Sequence, residues 1–201
     1  MNYSWQTLTC GTLIVVGVVG VVILIKVLQR QAQKRAWGEM ASQLGLVCES
    51  GRYPWSSLAV RGMYRGHALV LDTFVEHGYR RSQTYTQIVM TVNNSAGLRL
   101  MLHEASVASR VGKRLGVQDI QVGDADIDRR FMIKGQPEEG VRRLLAAEAL
   151  RQKFLSVSSI HLTLEGAAIR YQHRGVEKGT ERLHSLFDLM SEFATAVEQI
   201  G

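Results

Sequence analysis

The chain is predicted to be an α+β cytoplasmic domain of antiparallel strands and packed helices, attached to one N-terminal transmembrane helix. Three observations predict this. The nineteen residues from Thr7 to Ile25 hold no charged side chain. In the stretches between residues 58 and 102, apolar side chains tend to alternate with polar ones, the period of strands with one face buried. From Gly179 onward they recur at three and four residues, the period of an amphipathic helix.

The apolar run comes first. Nineteen helical residues reach about 28 Å, roughly the thickness of a bilayer core. A helix apolar on every side needs a large core to surround it, and a chain of 201 residues rarely has one. A cleaved signal peptide fits poorly, because no Lys or Arg precedes position 26 and Val22 to Leu28 offers no small-x-small site. Cys10 lies before the apolar run, which does not suit a lipoprotein site. Gly11, Gly17 and Gly20 would let a second helix approach, though their spacing is not GxxxG.

Charge sets the expected orientation. MNYSWQT has none, whereas Lys26, Arg30, Lys34 and Arg35 follow the run. The positive-inside rule places residues 1–7 outside and residues 29–201 in the cytoplasm, with Tyr3 and Trp5 at the outer interface. The same four cations should meet anionic lipid headgroups. Overall there are 24 Lys plus Arg against 18 Asp plus Glu, a net charge of +6. Without the four flanking cations the remainder holds 20 basic and 18 acidic groups. So small an excess gives no reason to expect nucleic acid as a partner.

The chain therefore divides into 1–28, the tail and transmembrane helix; 29–45, a juxtamembrane helix; and 46–201, the cytoplasmic domain. Val27 to Leu44 continues the helix. Trp37, Met40, Ala41 and Leu44 share a face suited to docking, and Gly45 suits the C-terminus. A break at Gly38, leaving a stalk and a short docked helix, is the alternative.

Strands follow at 46–48, 58–64, 67–75, 83–92 and 98–102, an antiparallel meander of three or four. Ser106 to Leu115 reads as a short helix, and residues 116–130 as a polar loop. Phe131 to Ile133 is a short strand. Pro137, Glu138 and Glu139 start a helix running to Phe154, since proline loses no needed hydrogen bond there and carboxylates favour the free N–H groups. Residues 160–164 and 167–173 form a hairpin around Gly166. The terminal helix carries Leu183, Leu186, Phe187, Met190, Phe193, Ala194, Val197 and Ile200 on its apolar face, with Thr180 as its cap. Whether the two strand groups form one sheet or two is open at this level.

Asp124, Asp126 and Asp128 alternate like the first ligands of an EF-hand loop. Arg129 then stands where the loop needs glycine and Gly135 where it needs glutamate, so a loop held by ion pairs is expected. His67, His77, His103, His161, His173 and His184 are scattered. His161 and His173, on the two hairpin arms, would face each other. HExxH, CxxC, GxSxG and GxxxxGK[ST] are absent, Lys113 in VGKRLG notwithstanding. Cys10 and Cys48, on opposite sides of the apolar run, do not make a disulfide scaffold. No catalytic, cofactor-binding or metal residue is assigned, and no cofactor is expected.

The stretch VGDADIDRRFMIKGQPEEGVRRLL resembles a pattern in poorly characterised bacterial membrane-anchored proteins, a Gly-Asp…Phe-Asp…Phe-type motif on a cytoplasmic domain. The matching positions are Gly123, Asp124, Asp128, Phe131, Ile133, Leu144 and Leu145, with Ile127 where phenylalanine is usual. The resemblance covers residues 120–200 and supplies no catalytic residues. It implies a tethered cytoplasmic domain at a bacterial inner membrane.

The function expected is that of a non-enzymatic accessory or structural subunit of a membrane protein complex, single-pass, with partners bound by the cytoplasmic domain. One alternative is a membrane-tethered sensory or small-ligand module with a pocket between strands and helices. Another is an enzyme on a membrane-associated substrate, for which Arg80, Arg81, His103 and Asp128 are the polar groups of interest.

Overall fold

The computed structural model describes residues 4–50, 58–78, 82–104 and 120–201, with side chains described from Val16. The expected helix at 106–115 lies outside them. Along the chain stand α1 (Ser4–Gln43), β1 (Val47–Ser50), β2 (Leu58–Tyr64), β3 (His67–His77), β4 (Ser82–Thr91) and β5 (Arg99–Glu104). Then come α2 (Ala125–Arg130), β6 (Phe131–Gln136), α3 (Glu138–Leu145), α4 (Glu148–Ser156), β7 (His161–Glu165), β8 (Ala168–Arg174) and α5 (Thr180–Glu198).

The strands form one sheet of eight, in the order β1-β2-β3-β4-β8-β7-β5-β6, with every neighbouring pair antiparallel. The meander is thus β1 to β4. The strand at 98–102 does not extend it: β5 sits beyond the β7–β8 hairpin. The linker between β4 and β5 crosses the turn of that hairpin. Val92 N–H donates to the Ala167 carbonyl at 3.0 Å. The Asn94 amide donates to the carbonyls of Leu98 and Gly166, both at 2.8 Å, and its oxygen accepts from Leu98 N–H at 2.9 Å. Asn94 so satisfies backbone groups that leave the ladder where the chain steps across two strands.

One sheet face carries the core. Val60, Leu69, Leu71, Ile88, Met90, Ile169, Tyr171, Leu162, Leu102 and Ile133 are buried on it, each alternating with a residue on the opposite face. The helices cover this face. Phe154 bridges Phe131 and Phe193 edge-on, at 6.1 and 5.9 Å between centroids, joining β6, α4 and α5. A single cluster of buried residues runs from Trp37 to Val197.

Three helical details differ from the sequence reading. The polar loop contains α2, because Asp124 accepts from the N–H groups of Asp126 and Ile127 and the helix buries Ile127. The helix from Pro137 is two helices, since Ala147 takes an extended conformation and lets α4 turn back on α3. At the terminal helix the N-cap is Gly179, with Thr180 as first helical residue.

α1 is continuous for 40 residues, with no break at Gly38. It ends at Gly45, whose φ of +68° suits glycine, and Leu46 N–H returns to the Ala41 carbonyl at 2.8 Å. Val16 and the apolar residues that follow it through Leu28 are exposed. This one helix is long and apolar enough to cross a membrane.

Candidate interaction surface

The junction of α1 with the sheet is the most tightly specified feature near the apolar helix. A stripe at helical spacing faces the domain: Gln33, Trp37, Met40 and Ala41 are buried, and Arg30, Ala36 and Leu44 are half-buried. Trp37 is fully enclosed, and its Nε1 donates to the Glu177 carbonyl at 2.9 Å. Glu177 N–H donates in turn to Thr86 Oγ1 at 2.8 Å, and Thr86 Oγ1 donates to the Gly175 carbonyl at 2.8 Å. One turn of hydrogen bonds therefore links α1, the β8–α5 connection and β4.

These contacts fix direction. Leu46 packs over Gly62, where an added Cβ would stand 3.3 Å from the Leu46 Cα. Trp37 lies at the level of Thr86, further along the sheet. β1 runs back alongside α1, and Lys34 is close enough to Cys48 to offset part of the rise in thiol pKa that burial causes. β1, β3, β5 and β8 therefore point toward the apolar end of α1, and the other four strands start there. Of the four expected headgroup contacts, Lys26, Lys34 and Arg35 are exposed on α1 and Arg30 is half-buried against the domain.

The sheet face opposite the helices is covered by no helix among the described residues. Val47, Arg61, Val70, Val89, Arg170, Thr163, Met101 and Lys134 form one register row across it. Val47 is 60% exposed and Met63, nearby, 61%. A cavity of about 300 Å³ opens between β5, β6 and β7, lined by Arg99, Met101, Lys134, Gln136, Thr163 and Glu165. The space between sheet and helices, where the ligand-module alternative would place its pocket, is occupied by the core cluster.

The histidines pair differently from the sequence reading. His161 and His173 lie on opposite faces of the sheet, because Leu162 pairs with Tyr171 and sets the two out of register. His161 instead meets His103, in register on β5, with rings edge-on at 5.9 Å. Burial holds the His161 imidazole below its ordinary pKa. Burial, with Arg182 nearby, does the same to His173. This His103–His161 pair was missed because nothing local tells that β5 neighbours β7. His67 Nε2 lies 3.5 Å from Glu198. His77 is exposed at the end of β3 and His184 is half-buried on α5.

The aspartates have structural partners. Asp124 caps α2 and meets Arg151 at 3.1 Å. Asp128 accepts from Val122 and Gly123 N–H at 2.9 and 3.1 Å. Asp126 and Arg129 are 3.9 Å apart on the surface. Arg130 is held more firmly: it pairs with Glu104 at 2.9 Å and donates to the carbonyls of Leu155 and Val157. Asp128 is thus committed to the backbone, and His103 lies buried in the sheet. Arg80, Arg81 and Lys113 fall outside the described residues, as does the Cys10 side chain.

No family model matches the chain, and no curated protein matches it.

Proposed function

We propose that the protein is a non-catalytic accessory subunit of a membrane protein complex, anchored by α1 in a bacterial inner membrane with its α+β domain in the cytoplasm. The observation that carries this reading is the unbroken course of α1 from the apolar run into the core. A flexible tether only keeps a domain nearby. A helix sealed at Trp37 holds it at one height and orientation, which suits a part that must meet a fixed neighbour. The cations at Lys26, Arg30, Lys34 and Arg35 support the inward orientation and contact with anionic headgroups. Membrane partners would pack beside the apolar run or against the uncovered sheet face, where Val47 and Met63 are exposed.

Mild-detergent purification of the full chain from its native membrane, followed by mass spectrometry, tests the proposal. Stoichiometric membrane proteins are expected to remain bound. Recovery of the chain alone, as monomer or homodimer, contradicts it.

A second reading, a membrane-tethered ligand-binding module, is favoured by the cavity between β5, β6 and β7. Arg99 and Lys134 there would suit an anionic small molecule. A thermal shift of the purified chain with anionic metabolites, lost in Lys134→Ala, would support it over the first.

A further inference from the structure

We propose that two copies of the chain pack their uncovered sheet faces together, related by a two-fold axis that runs along the strands between β4 and β8. The inference rests on the proposed anchoring of α1 and goes beyond it. It leaves the apolar run of α1 to other membrane proteins.

Charge on this face is divided in two. The side chains that alternate with the core residues point to it, so its charged members follow from the register. On the half formed by β8, β7, β5 and β6 they are Arg99, Lys134, Arg170 and Arg174, against one carboxylate, Glu165. On the half formed by β1, β2, β3 and β4 they are Glu49, Asp72 and Glu76, against one cation, Arg61. Arg61 meets Glu49 at 3.3 Å. Among the described residues, none of the four cations on the first half has an ion-pair partner, whereas Arg130, Arg151, Lys153 and Arg182 on the helix side are all paired. The boundary falls between β4 and β8, at the middle of the sheet.

Two conditions choose the axis, and they agree. Face-to-face packing of two copies needs a two-fold in the plane between the sheets. An axis along the strands lays β8, β7, β5 and β6 over β4, β3, β2 and β1 of the second copy. Each basic half then meets an acidic half. An axis across the strands lays each half on itself, cation on cation. The membrane makes the same choice. The strands run beside α1, with β1 returning along the helix after Gly45. Only an axis along them sends both apolar runs the same way, as two copies with one orientation in one bilayer require. The docked part of α1 belongs to the core on the other side of the sheet, so it does not obstruct the contact. A different protein would have to carry the reversed division of charge, which a second copy supplies by symmetry.

The face also has the size and composition of an interface. Eight strands, each presenting about five residues, cover about 650 Å² in projection, so two copies cover about 1,300 Å², within the standard range. His103, at the β5 corner, is buried and takes no part. At the midline the amides of Gln172 and Gln87 satisfy each other, Nε2 donating to Oε1 at 3.1 Å. Val70 and Val89 lie half-buried nearby, and the rings of Phe74 and Tyr85 stack at 5.4 Å. An uncharged centre with charges to either side is the arrangement of an interface core and its rim.

The test uses the full chain with Cys10 and Cys48 changed to serine, reconstituted into vesicles at high dilution in lipid. Single cysteines are placed at Val89→Cys beside the axis, at Glu139→Cys on the helix side and at Val18→Cys in the apolar run. Packed sheets lie about 10 Å apart, which puts the two Val89 positions about 11 Å apart at the backbone, within reach of a short bismaleimide. Cross-linking is expected to be about five-fold greater for Val89→Cys than for Glu139→Cys. Arg170→Glu with Arg174→Glu should abolish that excess, as should Glu49→Lys with Glu76→Lys. All four changes in one chain should restore it, because each half again meets its opposite. Equal cross-linking of Val89→Cys and Glu139→Cys, or no recovery in the combined variant, overturns the inference. If Val18→Cys is then still shielded from an aqueous maleimide, the anchor stands. If Val18→Cys reacts in water, the anchor falls, and the shared direction of the two copies with it.

Discussion

The indole of Trp37 and the carbonyl of Glu177 are hydrogen-bonded at 2.9 Å across 140 residues of chain. This bond seals the N-terminal helix to the last third of the fold. Removing the bond while keeping most of the bulk, as in Trp37→Phe, should cost about 1 kcal/mol. Trp37→Ala should cost about 3–5 kcal/mol through the cavity it leaves. Thermal melts of the full chain in detergent measure both. Equal melting temperatures for wild type and W37A would show that α1 is not held there.

Acid should weaken the domain through His161. Burial depresses its folded pKa below the ordinary value of 6.5, so the unfolded chain takes up the proton first. Its contribution is complete above about pH 6.5 and is lost as the pH falls toward the folded value. His173, depressed by burial and by Arg182, works in the same direction. Asp72 works in the opposite direction, since burial raises its pKa, but in the lower carboxylate window. Melting temperature should thus drop between pH 7.5 and 5.5. The drop should be smaller in His161→Gln, and an identical pH profile would contradict this account.

Tyr64 donates to Asp188 at 2.6 Å, and Asp188 also meets Arg65. Burial, together with the Asp188 carboxylate, pushes the Tyr64 phenol up to about 12. Tyr64→Phe should lose about 1–2 kcal/mol, the worth of a hydrogen bond to a charged group. Denaturant titration of wild type and variant tests this, and a loss below about 0.3 kcal/mol would mean that water replaces the phenol without penalty.

Two glycines should respond with opposite signs. A Cβ on Gly135 would stand 2.4 Å from the Arg99 carbonyl and 2.8 Å from Val141 Cγ2, so Gly135→Ala should destabilise by about 1–3 kcal/mol. Gly38 lies inside α1 with open space where its Cβ would be. Gly38→Ala should stabilise by about 0.5–1 kcal/mol. A comparison of unfolding midpoints separates the two.

Arg130 should be the least replaceable cation. It holds Glu104 and two backbone carbonyls, while Glu104 also accepts from Ser159 N–H at 2.8 Å. Arg130→Met strands these acceptors in a partly buried setting, at a cost of about 2–4 kcal/mol. Arg142→Met, which breaks only the exposed pair with Glu138, should cost under about 0.5 kcal/mol. Similar losses for both variants would remove the distinction.

Features written into local spacing were legible in the sequence. The apolar helix, the alternation at Leu98, Leu100 and Leu102, the β7–β8 hairpin and the terminal helix each depend on neighbours a few residues apart. The order of strands is different in kind. An alternating strand fits beside any partner with a matching face, and nothing near Leu100 says that Leu164 lies beside it. The His103–His161 pair follows from that order, so it was equally hidden. α2 was hidden for another reason: Asp124 is both a loop former and an N-cap, and burial of Ile127 decides between them. The sealed junction was half legible. Trp37, Met40 and Ala41 announced a docking face, but its acceptor, the Glu177 carbonyl, carries no side-chain signal.

The place of β5 bears on how the chain is made. During synthesis β1 to β4 emerge first and can pair with one another at once. β5 and β6 emerge next, yet their site in the sheet does not exist, because β7 and β8 must stand between them and β4. The strands from Arg99 to Gln136 can pair with each other and pack under α3 and α4, but the edge of β5 that meets the rest of the sheet waits for residues 161–174. Two partial sheets therefore precede the hairpin in order of synthesis, and the hairpin at 161–174 joins them.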